Sequence, residues 1–297
     1  MSLLNLLTNR WSSRHITPPY RRVLLWLLQR KTSVTAWQRE ADAFEAFAHI
    51  FEKQVTEEPT VTDLYPVFQA TDRDEISFSS SQLDWAKWYP GILKTREIYQ
   101  KGVSRLKKGD RTVFLLTRRG ALTRHRVGKW WHEELVLQQG GEHSEAYSGK
   151  YLSAMRSALK TFWQCSQDTG YVQTHTGTLI APEYWSPALA QQLDELQAQL
   201  DRCQIALPTL PQDPRRLRIK TGHTVPVFGI YEPQVRDGCM NYLLQDTPAP
   251  LLRGYPRDVT WKLLWEDTRY TDGRIPAEER DYFGSEWAQT AARPRQD

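Results

Sequence analysis

Cysteine is scarce in this chain. Cys165, Cys203 and Cys239 are the only three in 297 residues. The odd count, the long spacings and the lack of any Cys-x-x-Cys pair exclude a disulfide framework and a zinc knuckle. At least two of them are expected to be core thiols acting as small hydrophobes. Long apolar runs are missing as well. No stretch approaches the 18 or more apolar residues of a membrane-crossing helix. In RRVLLWLLQRK, Arg21 to Lys31, the apolar run ends in charges and no small-residue cleavage site follows. It is therefore expected to be a short amphipathic segment of the folded protein rather than a secretory leader. The chain is accordingly expected to be cytoplasmic, with no membrane partner. Phosphate-binding glycine motifs, GxxxxGK[ST] and GxGxxG, are absent, and no two of the seven histidines form an H-x-x-x-H or H-E-x-x-H pair. No cofactor and no metal site are therefore expected.

What the chain does have is apolar and aromatic material. Hydrophobic residues make up 40% and charged residues 25%, with twelve Trp and thirteen Tyr. That composition builds a sizeable core. It also exceeds what a core needs, so some aromatics are expected at an interface, where an apolar body with a polar tip is useful.

The net charge of +4 is unevenly spread. The segment Lys94–Lys129 holds twelve basic residues against Glu97 and Asp110. Such a run either forms a solvated helix face or seeks an acidic partner. Tyr99, Trp130 and Trp131 beside it keep open a nucleic-acid-binding regulator, in which cations and stacking surface combine. No helix-turn-helix or finger pattern supports that reading, so nucleic acid is not the expected partner.

The periodicity predicts an α+β protein: a predominantly helical N-terminal two-thirds, residues 1–206, and a smaller β-containing C-terminal region, residues 207–297, packed on it. From Ser33, apolar residues recur at Val34, Trp37, Ala41, Phe44, Ala48, Phe51 and Val55, one stripe of a helix capped by Ser33. A break is expected over Ser79–Gly91, then a helix from Ile92 to Lys108 stopped by Gly109. Thr112–Leu116 fits a short strand or a helical turn. Further helices are expected over Arg124–Gln138, from a cap at Ser148 with Leu152, Met155, Leu159 and Phe162 facing inward, and from Ser186-Pro187 along Leu189, Leu193, Leu196 and Leu200. Prolines between Leu207 and Pro214 mark a connection. Beyond it, Arg216–Lys220, Val225–Tyr231 and Asp258–Trp265 read as strands, the last with Val259, Trp261, Leu263 and Trp265 on one face. The tail after Phe283 is expected to fray.

One stretch concentrates candidate chemistry: GHTVPVFGIYEPQVRDGCMNYLLQDTPAPL, Gly222 to Leu251. Cys239 with His223, oriented by Asp237 or Glu232, has the residue types of a thiol nucleophile and its base. No helix-start signal precedes Cys239 to lower its pKa, and no oxyanion loop is apparent. A Cys-dependent enzyme is therefore kept only as an alternative. The other reading is a stiff binding surface. Glycines permit the turns, prolines fix φ, and Asp237-Gly238 is turn chemistry between two extended pieces. Such a loop loses little entropy when a partner docks. On this reading Tyr231, Glu232, Arg236, Asp237 and Tyr242 form the partner-binding surface, joined by Lys101, Arg105 and Lys108 from the basic run.

The same stretch resembles the C-terminal signature of the immunity protein 71/72 families, in the order G-x-x-x-P-x-x-G-I-[YW]-E-P, D-G-x-x-N-Y, T-x-A-P. The matching residues are Gly222, Pro226, Gly229, Ile230, Tyr231, Glu232, Pro233, Asp237, Gly238, Asn241, Tyr242, Ala249 and Pro250. Thr32–Glu40 and Gly102–Phe114 are similar to the helical half of those families. The resemblance implies a cytosolic, non-catalytic inhibitor of a polymorphic toxin, delivered between bacteria by a secretion or contact-dependent system. It implies a cognate toxin as partner and carries over no catalytic residue. Occlusion of the toxin's active site is the expected mode, with the basic run plugging an acidic cleft.

Overall fold

The structure, a computed structural model, describes residues 18–58, 60–68, 76–84, 89–115, 122, 150–169, 183–210, 217–254 and 258–284; for 60–68 and 76–84 only the backbone is described. The expected helix over Arg124–Gln138, the Ser148 cap, the second half of the basic run with Trp130 and Trp131, and the tail after Gly284 lie outside these residues.

The helical part is organised around one long helix. Helix α1 (Pro18–Lys31) begins on paired prolines, whose fixed φ suits a first turn, and ends on Arg30 and Lys31, which favour the negative end of the helix. Val23, Leu24, Leu25, Trp26 and Leu28 are all buried, so the apolar run is a core element. Helix α2 (Val34–Glu57) follows two residues later. The Ser33 side chain accepts from the Ala36 N–H at 3.1 Å, as the sequence predicts for a cap. Val34, Trp37, Phe44, Ala48 and Phe51 of the expected stripe are buried, and so are Ala36, Ala43 and Phe47 beside it. The wider face arises because α2 is flanked on two sides, by helix α3 (Tyr89–Leu106) and helix α4 (Leu152–Thr169). Phe44 sits at the crossing, 5.4 Å from Tyr99 of α3 and 5.3 Å from Phe162 of α4, ring centre to ring centre. The buried Glu40 carboxylate there accepts from the Tyr99 hydroxyl at 2.7 Å and the Thr169 hydroxyl at 2.5 Å.

Between α2 and α3 runs an antiparallel hairpin, strands β1 (Thr60–Phe68) and β2 (Ile76–Asp84), paired from Thr60↔Asp84 to Phe68↔Ile76. The expected break over Ser79–Gly91 is thus a strand as far as Asp84, and α3 starts three residues before Ile92. The serine-rich centre of β2 lacks the β-branched and aromatic signal that identifies a strand in sequence. Gly109 ends α3 with φ +79°, and Thr112 lies in a short 3₁₀ turn, Arg111–Phe114, capped by Asp110. Helix α5 (Pro187–Arg202) has the expected Ser186 cap, which accepts from the Leu189 N–H at 3.1 Å, and buries Leu189, Leu193 and Leu200.

The C-terminal region is a four-stranded antiparallel sheet in the order β3-β6-β4-β5: β3 (Arg218–Lys220), β4 (Gly229–Pro233), β5 (Asn241–Leu243) and β6 (Thr260–Glu266). With the helices before it, this sheet makes the α+β fold. One sheet face holds Tyr231, Leu243, Trp261 and Leu263, covered by Val225, Ala249 and Leu252. The other face sends Ile230, Tyr242 and Leu264 into the same core as the helices. A bulge explains a departure from the expected alternation. Ile230 pairs with Trp265 and Tyr231 with Leu263, so Leu264 is the extra residue, and Trp265 turns to the helical core instead of joining Trp261 and Leu263.

A charged knot fastens sheet to helices. Asp267 accepts from Arg111 at 2.6 Å, from the Arg269 side chain at 2.9 Å and from the Tyr242 hydroxyl at 2.8 Å. Arg269 also donates to the Gln29 carbonyl and the Thr32 hydroxyl, at 2.9 and 2.8 Å, in the α1–α2 turn. Burial alone would raise the Asp267 pKa, but Arg269 and Arg111 outweigh it and hold the carboxyl well below the usual range.

Candidate functional site

The connection between β4 and β5, Gln234–Met240, is a turn held from several sides. The Gln234 N–H donates to the Thr260 carbonyl at 2.7 Å. The Trp185 N–H donates to the Asp237 carbonyl at 2.8 Å, and the Cys239 N–H to the Glu183 carbonyl at 3.0 Å. These bonds, with a Tyr184–Gly238 β-bridge, tie the turn to the segment that leads into α5. Asp237 takes φ +63°, the left-handed region that Asn, Asp and Gly tolerate best. Gly238 is required by space: a Cβ there would lie 2.7 Å from Pro233 Cγ and 2.8 Å from Val235 Cγ2.

Helix α1 buttresses the turn. Arg21 Nε and Nη2 donate to Glu232 Oε1 and Oε2, each at 2.8 Å, a two-point fork across 211 positions of sequence. This geometry fixes direction as well as distance. Next to it Tyr20 packs on Trp185, ring centres 4.8 Å apart. Arg21, Glu232 and the turn residues Pro233–Gly238 line an open groove of about 650 Å³.

The sequence-predicted residues divide into three sets. Glu232, Arg236 and Asp237 stand together on this groove. Tyr231 and Tyr242 do not, which corrects the expectation that they flank a surface: both side chains are buried. Tyr231 points into the cluster with Trp261 and Leu263, its hydroxyl donating to the Val227 carbonyl at 3.0 Å; Tyr242 points into the helical core and donates to Asp267. Both lie within strands, so their inward faces were set by the sheet rather than by the turn they flank. Lys101, Arg105 and Lys108 form the third set, at the C-terminal end of α3 and just beyond it. Lys101 pairs with Glu97, and Arg105 donates to Asp110 and Thr112 at 2.8 Å each. Arg96 pairs with Glu45, and Arg111 is buried on Asp267. The described half of the basic run is therefore largely neutralised within the fold, with Lys94, Lys107 and Lys108 exposed along it.

Arg21 is the residue that sequence reasoning missed. Its only sequence signal was its place at the head of the amphipathic segment Arg21 to Lys31, and nothing in one sequence ties it to Glu232.

The thiol chemistry considered for this stretch is disfavoured by its surroundings. Cys239 is buried; burial, with the nearby Asp237 and Glu232 carboxylates, pushes its pKa up to about 12, so it carries negligible thiolate at neutral pH. His223 is exposed. Among the described residues, no group of three or more His, Cys, Asp or Glu side chains could hold a metal ion, and no helix is long and apolar enough to cross a membrane.

Comparison with known families gives two matches. The model described as Immunity protein 71 matches residues 17–189, and the model described as Immunity protein 72 matches residues 237–283. The first includes Arg21 and helices α1–α4; the second begins at Asp237 and runs through β5, β6 and the charged knot. No curated protein and no solved structure matches the chain.

Proposed function

The chain belongs to the immunity protein 71 family, whose model covers more than half of it, and from that premise we propose that it neutralises its cognate toxin, without catalysis of its own, by forming a stable complex that covers the toxin's active site. The contact surface is centred on the groove formed by Arg21, Glu232, Gln234, Arg236 and Asp237. The exposed Lys108, with the ion-paired Lys101 and Arg105 beside it, forms a peripheral cationic surface that speeds encounter.

The observation that carries this reading is the rigidity of the β4–β5 turn. A Gly238 position with no room for a side chain, a left-handed Asp237, backbone bonds to Glu183 and Trp185, and the Arg21–Glu232 fork all restrain one short exposed segment. A surface already fixed in its bound shape keeps more of its contact energy as affinity. Gln234 and Arg236 stand exposed on this turn, where a partner can reach them.

The test uses the purified chain and the product of the toxin reading frame beside its own. Co-elution as one complex is expected, with toxin activity abolished at equimolar ratio. Gln234→Trp, placing bulk on the exposed turn, should weaken the complex without lowering the thermal midpoint. Protection that persists without any stable complex, or turnover by the isolated chain, would refute the reading.

A further inference from the structure

The Asp237 carboxylate has no visible internal task. Among the described residues, its Oδ1 is shut off from solvent without a hydrogen-bond donor, and no ion pair is made by its side chain. The turn does not need the charge: Asn suits the left-handed φ of +63° as well as Asp does, and the tie to Trp185 comes from the backbone carbonyl. The neighbouring carboxylate is in the opposite state, with both oxygens of Glu232 occupied by the Arg21 fork. Arg21 is thereby committed to Glu232, and Asp237 is the acid on this groove with acceptor capacity to offer.

We propose that Asp237 is the receptor for a single basic side chain, arginine or lysine, that the toxin inserts into the groove beside the β4–β5 turn. The inference rests on the proposed toxin-binding role of that turn and goes further by naming the chemistry of the partner's contact. The groove, about 650 Å³, is wide enough for a slender cationic side chain. Only Oδ1 is shut off; the side chain is half-buried on the groove, so its other oxygen is the one that meets the partner's cation. The pairing would be charge-assisted and sheltered, which is the setting in which one contact dominates an interface.

Asp237→Asn is the discriminating variant, because it removes the charge and keeps shape and backbone preference. Affinity is measured by titration calorimetry against a catalytically disabled form of the adjacent reading frame's toxin, with the full chain throughout. The expected result is a complex at least about tenfold weaker, from the loss of the charge that strengthens the hydrogen bond to the partner's cation, with an unchanged thermal midpoint. If Asp237→Asn binds as tightly as the parent while Gln234→Trp or Arg236→Glu weakens the complex, the cation receptor is refuted and the turn remains the contact surface. If none of these variants changes affinity, both readings fall. A lowered thermal midpoint in Asp237→Asn would also overturn the inference, since the carboxylate would then serve the fold.

Discussion

Replacing Asp267 by Ala removes the centre of the charged knot, and its cost follows from what is left behind. The carboxylate is fully buried, as are most of its partners: the side chains of Arg111 and Arg269 are 3% and 8% exposed. Asp267→Ala leaves two guanidinium groups in a low-dielectric site without their counter-charge, and it strands the Tyr242 hydroxyl. Breaking a buried pair in this way costs about 3–5 kcal/mol, a large fraction of the roughly 5–15 kcal/mol that holds a domain folded. With about 2–4 °C lost per kcal/mol in a chain of this size class, the thermal midpoint should fall by about 10 °C or more. The pH dependence has a definite sign. The folded carboxyl sits well below the unfolded value of about 3.9, so its stabilisation is complete at pH 5 and above and is lost progressively as pH falls below about 4. Asp267→Asn should lack that acid-side slope. The assay is urea unfolding of parent and variants from pH 7 down to pH 3. A loss below about 1 kcal/mol in Asp267→Ala, the value of an exposed ion pair, would refute the account of the knot as the fastening between sheet and helices.

Cys239 should resist iodoacetamide at pH 8 in the native protein and react only on unfolding, and Cys239→Ala should still protect cells; rapid native labelling confined to Cys239 would contradict the burial and the raised pKa described for it. Lys101→Glu with Lys108→Glu should slow association with the toxin at low salt and leave dissociation nearly unchanged. An association rate indifferent to both charge and ionic strength, measured by stopped flow, would remove these residues from the encounter surface.

Local signals made the helices legible. The Ser33 and Ser186 caps and the α2 stripe act over a few residues, and each element formed where those residues placed it. The candidate site was legible only in part. The Gly238 turn was written in its own residues, so Glu232, Arg236 and Asp237 were found on the groove. The inward orientation of Tyr231 and Tyr242 depends on which sheet face meets the helices, and the Leu264 bulge that turns Trp265 depends on pairing with β4. The Arg21–Glu232 fork joins the first described helix to the C-terminal sheet. These are products of tertiary pairing, and a single sequence carries no local trace of them.

The same long-range ties bear on the division at residue 206 that the change of texture indicates. Residues 1–206, expressed alone, should not fold cooperatively. Ile230, Cys239, Met240, Tyr242, Leu244, Leu264, Tyr270 and Tyr282 belong to the apolar cluster that the helices build. Tyr282 packs edge-on against Trp26 with ring centres 5.6 Å apart, and Phe114 meets Tyr242 at 6.5 Å. At about 1.5–3 kcal/mol for each large side chain buried, losing this set removes on the order of 10 kcal/mol or more, which rivals the whole stability of a domain. The deletion also takes away the Tyr270 hydroxyl that accepts from the Val34 N–H at 2.8 Å and the Arg269 contacts at the α1–α2 turn. The fragment should therefore keep helical far-ultraviolet dichroism while losing near-ultraviolet signal from its aromatics and any sharp melting transition. A fragment that melts sharply with native-like near-ultraviolet dichroism would show that the helices close a core of their own. The sheet would then be an attachment, and the Arg21–Glu232 fork would join two independently folding units instead of bracing one surface.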